Sequence, residues 1–341
     1  MDWFSLTVLF AAALLASLGL AGVLRHALLR LKILDHPNDR SSHIRPTPRG
    51  GGLAVMTVVL GGWLIAPALL AEAPPAPVVV LIVAGGLVGA FWFEDSRGLP
   101  LLLRLAVQGG AAAAALFFWP GDGGTPLFFQ GLLPGGLDLA LAGLGWVWFM
   151  NLYNFMDGID GISVAESAAI GAGATLIGVM TVGGEDALAP GIIVAGAMLG
   201  FLWWNRPPAR LFLGDVGSVP LGFVLGFLLL DFAARGLWAP ALILPLYYLA
   251  DTGLTLIRRG LRGEKIWRAH RDHFYQLAVR RGLGHGQVSG AVAGVNAALV
   301  ALAVAAIDRP WTALVIAAAL TGAFLIWLGG GRRTHRTGTG T

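Results

Sequence analysis

The chain has 341 residues, of which 56% are hydrophobic and only 12% are charged, and its formal net charge is +4. About 25% of the residues of ordinary soluble domains are charged, so this composition excludes a water-soluble enzyme and a disordered protein. Cysteine is absent, which excludes disulfides and thiolate metal sites. We therefore expect a polytopic membrane protein.

Apolar segments long enough to cross a bilayer recur along the whole chain. A bilayer core about 30 Å thick requires about 20 mostly apolar residues per helix. Eleven segments fit: 3–24, 52–71, 78–93, 104–120, 137–152, 162–182, 189–204, 217–234, 240–257, 287–306 and 311–328. We predict an all-α polytopic membrane protein with about eleven transmembrane helices. Residues 1–330 would form a single transmembrane catalytic domain, and 331–341 a disordered cytoplasmic tail.

The basic residues predict the orientation of these spans. When the connections are taken alternately, every Lys and Arg except Arg235 and Arg309 falls into one set. Because cytoplasmic loops carry an excess of Lys and Arg, that set is predicted to be cytoplasmic, with a periplasmic N-terminus and a cytoplasmic C-terminus. The positive charge is thus explained by topology, and no nucleic-acid partner is expected because no recognition fold accompanies it.

Acidic residues and histidines gather on the predicted cytoplasmic side. They end the third span, follow the fifth, precede the eighth and lie between the ninth and tenth: Glu94, Asp95, Asp157, Asp160, Asp215, His270 and His273. Carboxylates beside lipid are costly and usually functional. The adjacent Glu94 and Asp95 would repel each other unless a cation or a proton lies between them. Such one-sided clustering indicates a functional site.

Each acidic motif also has a purely structural interpretation. Asp157 and Asp160 alternate with glycines and could form a tight turn that caps the sixth helix. Asp215 could likewise be only a helix cap, although a helix start beside glycine also suits phosphate binding. The nearby Asn151 and Asn154 add polar groups that a simple turn does not require, so we favour the functional interpretation.

The first long connection, residues 35–52, is basic and rich in proline. It contains Arg40, His43, Arg45 and Arg49, followed by three glycines that begin with Gly50 and Gly51. This composition could reflect membrane topology alone. It also suits an anionic ligand held by arginines and backbone N–H groups.

His270 and His273 are three residues apart and would share a face if their segment is helical. Two histidines without a third ligand make a weak zinc site. The segment could instead be an interfacial amphipathic helix with Trp267, Phe274 and Tyr275 at the lipid boundary. We favour a pair that contacts phosphate.

The chemistry that this residue set suits is phosphoryl transfer. Oxygen ligands without cysteine favour Mg²⁺, or Mn²⁺, and a metal flanked by Arg and His neutralises phosphate charge. A membrane location implies a lipid substrate and a soluble phosphorylated one. A transporter or flippase is the alternative, but it should place ionisable residues near the bilayer midplane. Asp251, inside the ninth span, is expected to pair with Arg258 or Arg259 outside the main site.

Four segments resemble one family in order along the chain: DHPNDRSSHIRPTPRGG, NLYNFMDGIDG, FLGDVGS and GEKIWRAHRDHFYQ. They are similar to the polyprenyl-phosphate N-acetylhexosamine-1-phosphate transferases, glycosyltransferase family 4, which include the MraY and WecA relatives and the bacterial WbpL-like branch. The second and third strings are the specific ones. The resemblance spans positions 35–286.

The resemblance implies transfer of N-acetylhexosamine 1-phosphate from a UDP-sugar to undecaprenyl phosphate, with Mg²⁺ as cofactor and UMP as product. It implies an enzyme of the bacterial inner membrane that initiates a cell-surface glycan such as O-antigen. A monomer and a homodimer are both left open. The sugar is not identified.

The resemblance also implies roles for individual residues. Asp215 would be the main metal ligand, joined by Asp95. Other residues would line the nucleotide and diphosphate site (Asn151, Asn154, Asp157 and Asp160), contact substrate phosphates (His270 and His273), or hold the nucleotide sugar (His43, Arg45, Arg49, Gly50 and Gly51).

One position departs from the family pattern. The family usually has two aspartates at the end of the third span, whereas this chain has Glu94 and Asp95. The extra methylene moves the first carboxylate, which puts in doubt any mechanism that uses it as a nucleophile. A phosphate monoester with a second pKa near 6 is largely dianionic at neutral pH, so we expect direct attack by the lipid phosphate.

Overall fold

The structure is a computed structural model, and it describes residues 2–37, 45–69, 77–119, 126–181, 188–265 and 270–330. His43 and the predicted tail over 331–341 lie outside the described residues. Helices dominate, with one short antiparallel strand pair, β1 (Leu34–Asp35) and β2 (Thr47–Pro48), in the described chain.

The described residues form a series of helices along the chain. In chain order they are α1 (Trp3–Arg30), α2 (Gly52–Leu69), α3 (Val78–Arg97), α4 (Leu101–Phe117), α5 (Gly135–Met156), α6 (Ile162–Met180), α7 (Leu188–Asn205), α8 (Asp215–Ala234), α9 (Trp238–Ile243), α10 (Leu246–Leu261), α11 (Phe274–Arg280), α12 (His285–Ala305) and α13 (Pro310–Gly329).

Within the described residues every predicted span lies largely on helix, which confirms the all-α polytopic fold. Among the residues that the structure describes, eight helices are long and apolar enough to cross a membrane: α1, α2, α3, α6, α7, α8, α12 and α13. The fourth predicted span is the shorter apolar helix α4. The fifth is α5, whose first turn contains the buried Asp138. The orientation of the termini stays a prediction.

The ninth predicted span is not one continuous helix. Residues 240–257 divide into α9, which ends at Ile243, and α10, which begins at Leu246. Pro245 lies at the break, where its missing N–H and its ring oppose helix continuation. The prediction of a single uninterrupted span was therefore wrong at this point.

Helix α8 lies at the centre of the bundle, and 89% of its most apolar window is buried. It packs against α2, α3 and α5. Its first turn meets the first turn of α2 so closely that a Cβ on Gly52 would overlap the Cα of Gly217. The residues just before α2 are thereby brought beside the residues that begin α8.

Candidate active site

Backbone hydrogen bonds join the segment before α2 to the segment before α8. The N–H groups of Gly50 and Gly51 donate to the carbonyl of Phe212, and that of Gly52 donates to the carbonyl of Leu213. The glycine N–H groups that the sequence offered to an anion are therefore already engaged. Whether Gly50 and Gly51 contact the nucleotide sugar stays a prediction.

Arg49 joins two of the predicted carboxylates. Its Nη2 lies 2.6 Å from Oδ1 of Asp215 and 2.8 Å from Oδ1 of Asp95. The side chain of Asp95 is only 4% exposed and that of Asp215 is 15% exposed. Burial opposes a charged guanidinium, but the charges of Asp215 and Asp95 raise the pKa of Arg49. Two carboxylates thus converge on one permanent cation.

Asp95 also occupies the N-terminus of α8. Its two carboxylate oxygens accept the N–H groups of Asp215 and Val216, at 3.1 and 3.0 Å. Gly214, which precedes the helix, has φ +78°, and a Cβ there would lie 2.7 Å from Oδ2 of Asp95. The anion position that helix starts commonly offer to phosphate is filled here by an aspartate of α3.

A second arginine, Arg104 of α4, connects the remaining groups. It lies 3.1 Å from Oε1 of Glu94 and 3.6 Å from Oδ2 of Asp215, and it donates to Oδ1 of Asn154 at 3.3 Å. Asn154 donates in turn to Asp215 at 3.0 Å and to Ser218 at 2.9 Å. Each carboxylate of the Glu94–Asp95 pair therefore has its own arginine, which removes the repulsion that the sequence alone implied.

Asn151 and Asp157 lie on the same helix end but have other partners. Asn151 donates to Oε1 of Gln108 at 2.6 Å. Asp157 follows α5 and accepts a hydrogen bond from Ser163 at 2.6 Å. Burial, with a smaller contribution from the charge of Asp215, raises the pKa of Asp157 to about 7. Such perturbed carboxyl groups are frequent at functional sites.

Asp160 serves a different set of contacts. Its Oδ2 accepts the N–H of Ala209 at 3.0 Å and lies 3.3 Å from Nδ1 of His285. Its carbonyl accepts the hydroxyl of Ser289 at 2.6 Å. In the described residues, the hydrogen bonds and ion pairs of Asp160 do not reach the Arg49 cluster. A direct role of Asp160 at the diphosphate stays a prediction.

The two histidines lie together, but they are not on one helix. His273 is the N-cap of α11 and His270 precedes it, so the condition for a shared helical face, one helix through both residues, is not met. Their rings stack at 4.9 Å instead. Burial, together with the charge of His273 and of Arg259, lowers the pKa of His270 to about 4, so that ring is neutral at physiological pH.

Asp251 is the partner of His273. Its Oδ1 lies 3.1 Å from Nδ1 of His273, and neither side chain is more than 2% exposed. The expected pairing of Asp251 with an arginine was wrong, because Arg259 pairs with Glu264 and Asp272. Because α11 packs against α10, His273 rather than an arginine lies beside Asp251.

The structure also argues against the alternative that this segment is an amphipathic helix with Tyr275 at the lipid boundary. Tyr275 is fully buried, and its hydroxyl donates to the carbonyl of Phe155 at 2.9 Å. This contact ties the histidine segment to the end of α5, close to Asp157. Trp267 lies outside the described residues.

Arg104 is the site residue that sequence reasoning missed. Its charge was assigned to the basic connection before the fourth span, yet Arg104 lies within the apolar helix α4. Gln108 lies about one turn further along the same helix. A charged residue and an amide at this spacing in a predicted span are costly unless they face polar groups. That signal was available in the sequence.

The donors of the cluster fit a divalent metal of the Mg²⁺ type. Asp95 and Asp215 turn carboxylate oxygens toward the same point, now taken by an arginine nitrogen. In the part of the chain that the structure describes, no three His, Asp or Glu side chains form a metal cage. Mg²⁺ commonly uses one or two carboxylates and completes its shell with substrate phosphates and water.

Comparison with known proteins covers most of the chain. Residues 52–233 match the model of glycosyl transferase family 4. A Bacillus subtilis protein, named as a probable undecaprenyl-phosphate N-acetylglucosaminyl 1-phosphate transferase, is 26% identical over 296 residues, 82% of this chain and 79% of its own.

Two further relatives have related names. A decaprenyl-phosphate N-acetylglucosaminephosphotransferase of Mycolicibacterium smegmatis is 31% identical over 304 residues, 77% of this chain and 73% of its own. A phospho-N-acetylmuramoyl-pentapeptide-transferase of Renibacterium salmoninarum is 31% identical over 254 residues, 58% of this chain and 68% of its own. The resemblance predicted from the motifs is thus confirmed, and the chain belongs to glycosyl transferase family 4.

Proposed function

We propose that this protein transfers N-acetylhexosamine 1-phosphate from a UDP-sugar to undecaprenyl phosphate and releases UMP. The observation that carries the proposal is the cluster in which Arg49 and Arg104 hold Asp95, Asp215 and Glu94 at the start of α8. The names of the relatives support a polyprenyl-phosphate acceptor and an amino-sugar phosphate donor.

The nucleophile in this reaction is the lipid phosphate. One of its oxygens attacks the phosphorus that carries the sugar, the new P–O bond forms, and the bond to the bridging oxygen of the diphosphate breaks. UMP leaves with that electron pair. Because the attacking phosphate is largely dianionic at neutral pH, no protein base has to remove a proton from it.

The arginines and amides supply positive charge and orientation. Arg104 is fixed by Glu94 on one side and by Asn154 on the other, so it can face diphosphate oxygens without rearrangement. Preorganised donors of this kind stabilise charge that develops in the transition state. Glu94 is committed to Arg104, which argues for a role in positioning rather than as a nucleophile.

Asp215 and Asp95 are the residues that would hold Mg²⁺, with Mn²⁺ as a substitute. The ion would neutralise charge on the diphosphate of the donor. Arg49 currently bridges the same two carboxylates, so we expect metal and substrate to compete with that contact.

The membrane setting supports a location in the bacterial inner membrane, with the site on the cytoplasmic face where UDP-sugars are available. The product would begin a cell-surface glycan such as O-antigen. Apart from Arg235 and Arg309, the Lys and Arg residues fall in the connections that are predicted to share the side of the site, which supports this orientation.

The test uses the full chain in detergent with UDP-[¹⁴C]GlcNAc, undecaprenyl phosphate and Mg²⁺. We expect label in the organic phase, an equal amount of UMP, and loss of both with EDTA. Asp215→Asn should lower kcat by about 10²–10³-fold. A panel of UDP-sugars in the same assay would identify the donor.

A matched control is Asp138→Asn, because Asp138 is a buried carboxylate of α5 with backbone partners at Phe128 and Phe129. It should leave turnover close to that of the wild type. Movement of a lipid-linked substrate across vesicles without UMP release would instead support a transporter and contradict the proposal.

A further inference from the structure

The carboxylate of Asp251 is fully buried, lies outside the arginine cluster and is contacted by three consecutive residues. Asp251 of α10 lies 3.1 Å from Nδ1 of His273 and accepts the N–H groups of Phe274 and Tyr275 at 3.0 and 3.2 Å. Its exposure is 0%. Hydroxyls of Tyr247 and Thr255 lie 3.4 Å away. A carboxylate with so many donors is held in one orientation.

This arrangement determines which ring nitrogen of His273 is available. An ionised carboxylate only accepts hydrogen bonds, so Nδ1 must carry the proton that faces Asp251. Nε2 then lies on the ring edge that points away from Asp251, and it has no hydrogen-bond partner among the described residues. Stacking on His270 at 4.9 Å and on Tyr275 at 5.7 Å restrains the ring plane.

The same segment is fixed against the candidate active site. The hydroxyl of Tyr275 donates to the carbonyl of Phe155, two residues before Asp157. A Cβ on Gly158 would overlap that hydroxyl, so the turn and the ring are in direct contact. Asp251 thus sets where His273 stands relative to the end of α5.

We propose that Asp251 is a positioning residue of the transfer reaction, which holds His273 so that Nε2 faces a phosphate of the substrate. The proposal rests on the proposed function. When the ring takes a proton from solvent, the carboxylate stabilises the imidazolium, and Nε2–H donates to a phosphate oxygen of the leaving nucleotide. Asp251 itself does not touch substrate.

The competing explanation is that Asp251 only caps α11, and the chain contains a matched case of that role. Asp138 is also fully buried and accepts two backbone N–H groups, from Phe128 at 2.8 Å and from Phe129 at 3.0 Å. Its hydrogen-bond partners in the described part of the chain include no histidine. Asp138→Asn therefore measures the cost of losing a capping carboxylate alone.

The experiment compares Asp251→Asn with Asp138→Asn in the full-length protein, by melting temperature, kcat and KM. We expect both variants to melt earlier. Asp251→Asn should lower kcat by about 10–100-fold, as outer carboxylates of functional histidines do, with a smaller change in KM. Asp138→Asn should change kcat by no more than about 2-fold. Equal kcat values for the two variants would overturn the proposal.

A double-mutant cycle with His273→Gln gives the second readout. If Asp251 acts through His273, Asp251→Asn should lower kcat little further in the His273→Gln background. Multiplicative losses would overturn the positioning role. Should Asp251→Asn not fold, Asp251→Glu, which keeps the charge but displaces it, replaces it. If the wild type is inactive, both the proposed function and the role of Asp251 are contradicted. If the wild type is active and Asp251→Asn does not change kcat, only the role of Asp251 is contradicted.

Discussion

Arg49 and Asp215 are 166 positions apart in the chain, yet a guanidinium nitrogen of one lies 2.6 Å from a carboxylate oxygen of the other. The same nitrogen serves Asp95 of α3. A single cation thus neutralises two acidic groups that three separate elements bring together at the start of the central helix.

Removal of this cation should make the protein dependent on metal for stability. In Arg49→Gln, Asp95 and Asp215 would remain close and mostly buried without their shared partner. We expect a loss of about 3 kcal/mol in the free energy of unfolding in EDTA, and partial recovery in millimolar Mg²⁺. Melting curves with and without Mg²⁺ measure this. Arg235→Gln, which disturbs the Arg235–Asp231 pair, is the control and should not respond to Mg²⁺.

The close approach of α2 and α8 should not tolerate a side chain. Gly52→Ala would place a Cβ onto Gly217, and the helices would have to separate. We expect a stability loss of about 1–3 kcal/mol and a large loss of activity, because Arg49 and Asp215 move apart with the helices. Gly61→Ala in the same helix meets no atom within 4 Å and should be neutral or slightly stabilising. Equal behaviour of the two variants would contradict this account.

Glu94 should prove less critical than Asp95. Glu94→Gln keeps a hydrogen-bond acceptor for Arg104 but removes the charge, so we expect kcat to fall by about 10-fold. Asp95→Asn loses one of the two oxygens that accept the first N–H groups of α8, and it loses the charge that pairs with Arg49, so its kcat should fall much further. Initial rates on the same substrates give the comparison. A covalent phospho-glutamyl enzyme, or complete inactivity of Glu94→Gln, would contradict direct attack by the lipid phosphate.

Asp157 should make the folded state less stable as the pH rises toward neutrality. Its pKa is about 7 in the folded protein against a usual 3.8, because burial disfavours the charged form. The folded state therefore holds a proton that the unfolded state has already released, and stability falls between about pH 4 and 7. Asp157→Asn removes this titrating group, and with it this pH dependence of stability, and should also lower activity.

The measurement is the difference in melting temperature between Asp157→Asn and the wild type. We expect the variant to gain about 4 °C or more between pH 5 and pH 7.5, with no further gain above that range. Other titrating groups are common to both proteins and cancel in the difference. A pH-independent difference would show that Asp157 is not protonated in the folded state.

The sequence was sufficient where the physical signal is local. Apolar runs of bilayer length located the long apolar helices, because a helix in lipid must satisfy its own backbone hydrogen bonds whatever its neighbours are. Asp215, Asp95 and Asn154 were identified by their cost beside lipid and by their motifs, and the structure brings all three together.

Partner choice could not be read in the same way. Asp251 could have met either of two arginines about two turns further along its helix, and it meets His273 because α11 packs against α10. Asp160 has the same motif context as Asp157, yet it turns toward Ala209 and His285. The break before Pro245 was visible as a proline, but an isolated proline in a membrane helix does not say whether the helix kinks or stops.

The amino-acid sequence by itself determined a polytopic helical membrane protein, its family, and the residue types that gather near one end of the bundle. Only the tertiary structure decided that Arg49 pairs with Asp95, that Arg104 pairs with Glu94 and that both arginines contact Asp215. It also decided that Asp251 contacts His273. The physical reason is the separation along the chain over which each interaction acts. Hydrophobic patterning acts within one helix, whereas ion pairs and buried hydrogen bonds depend on ångström-scale distances between side chains that the chain order leaves far apart.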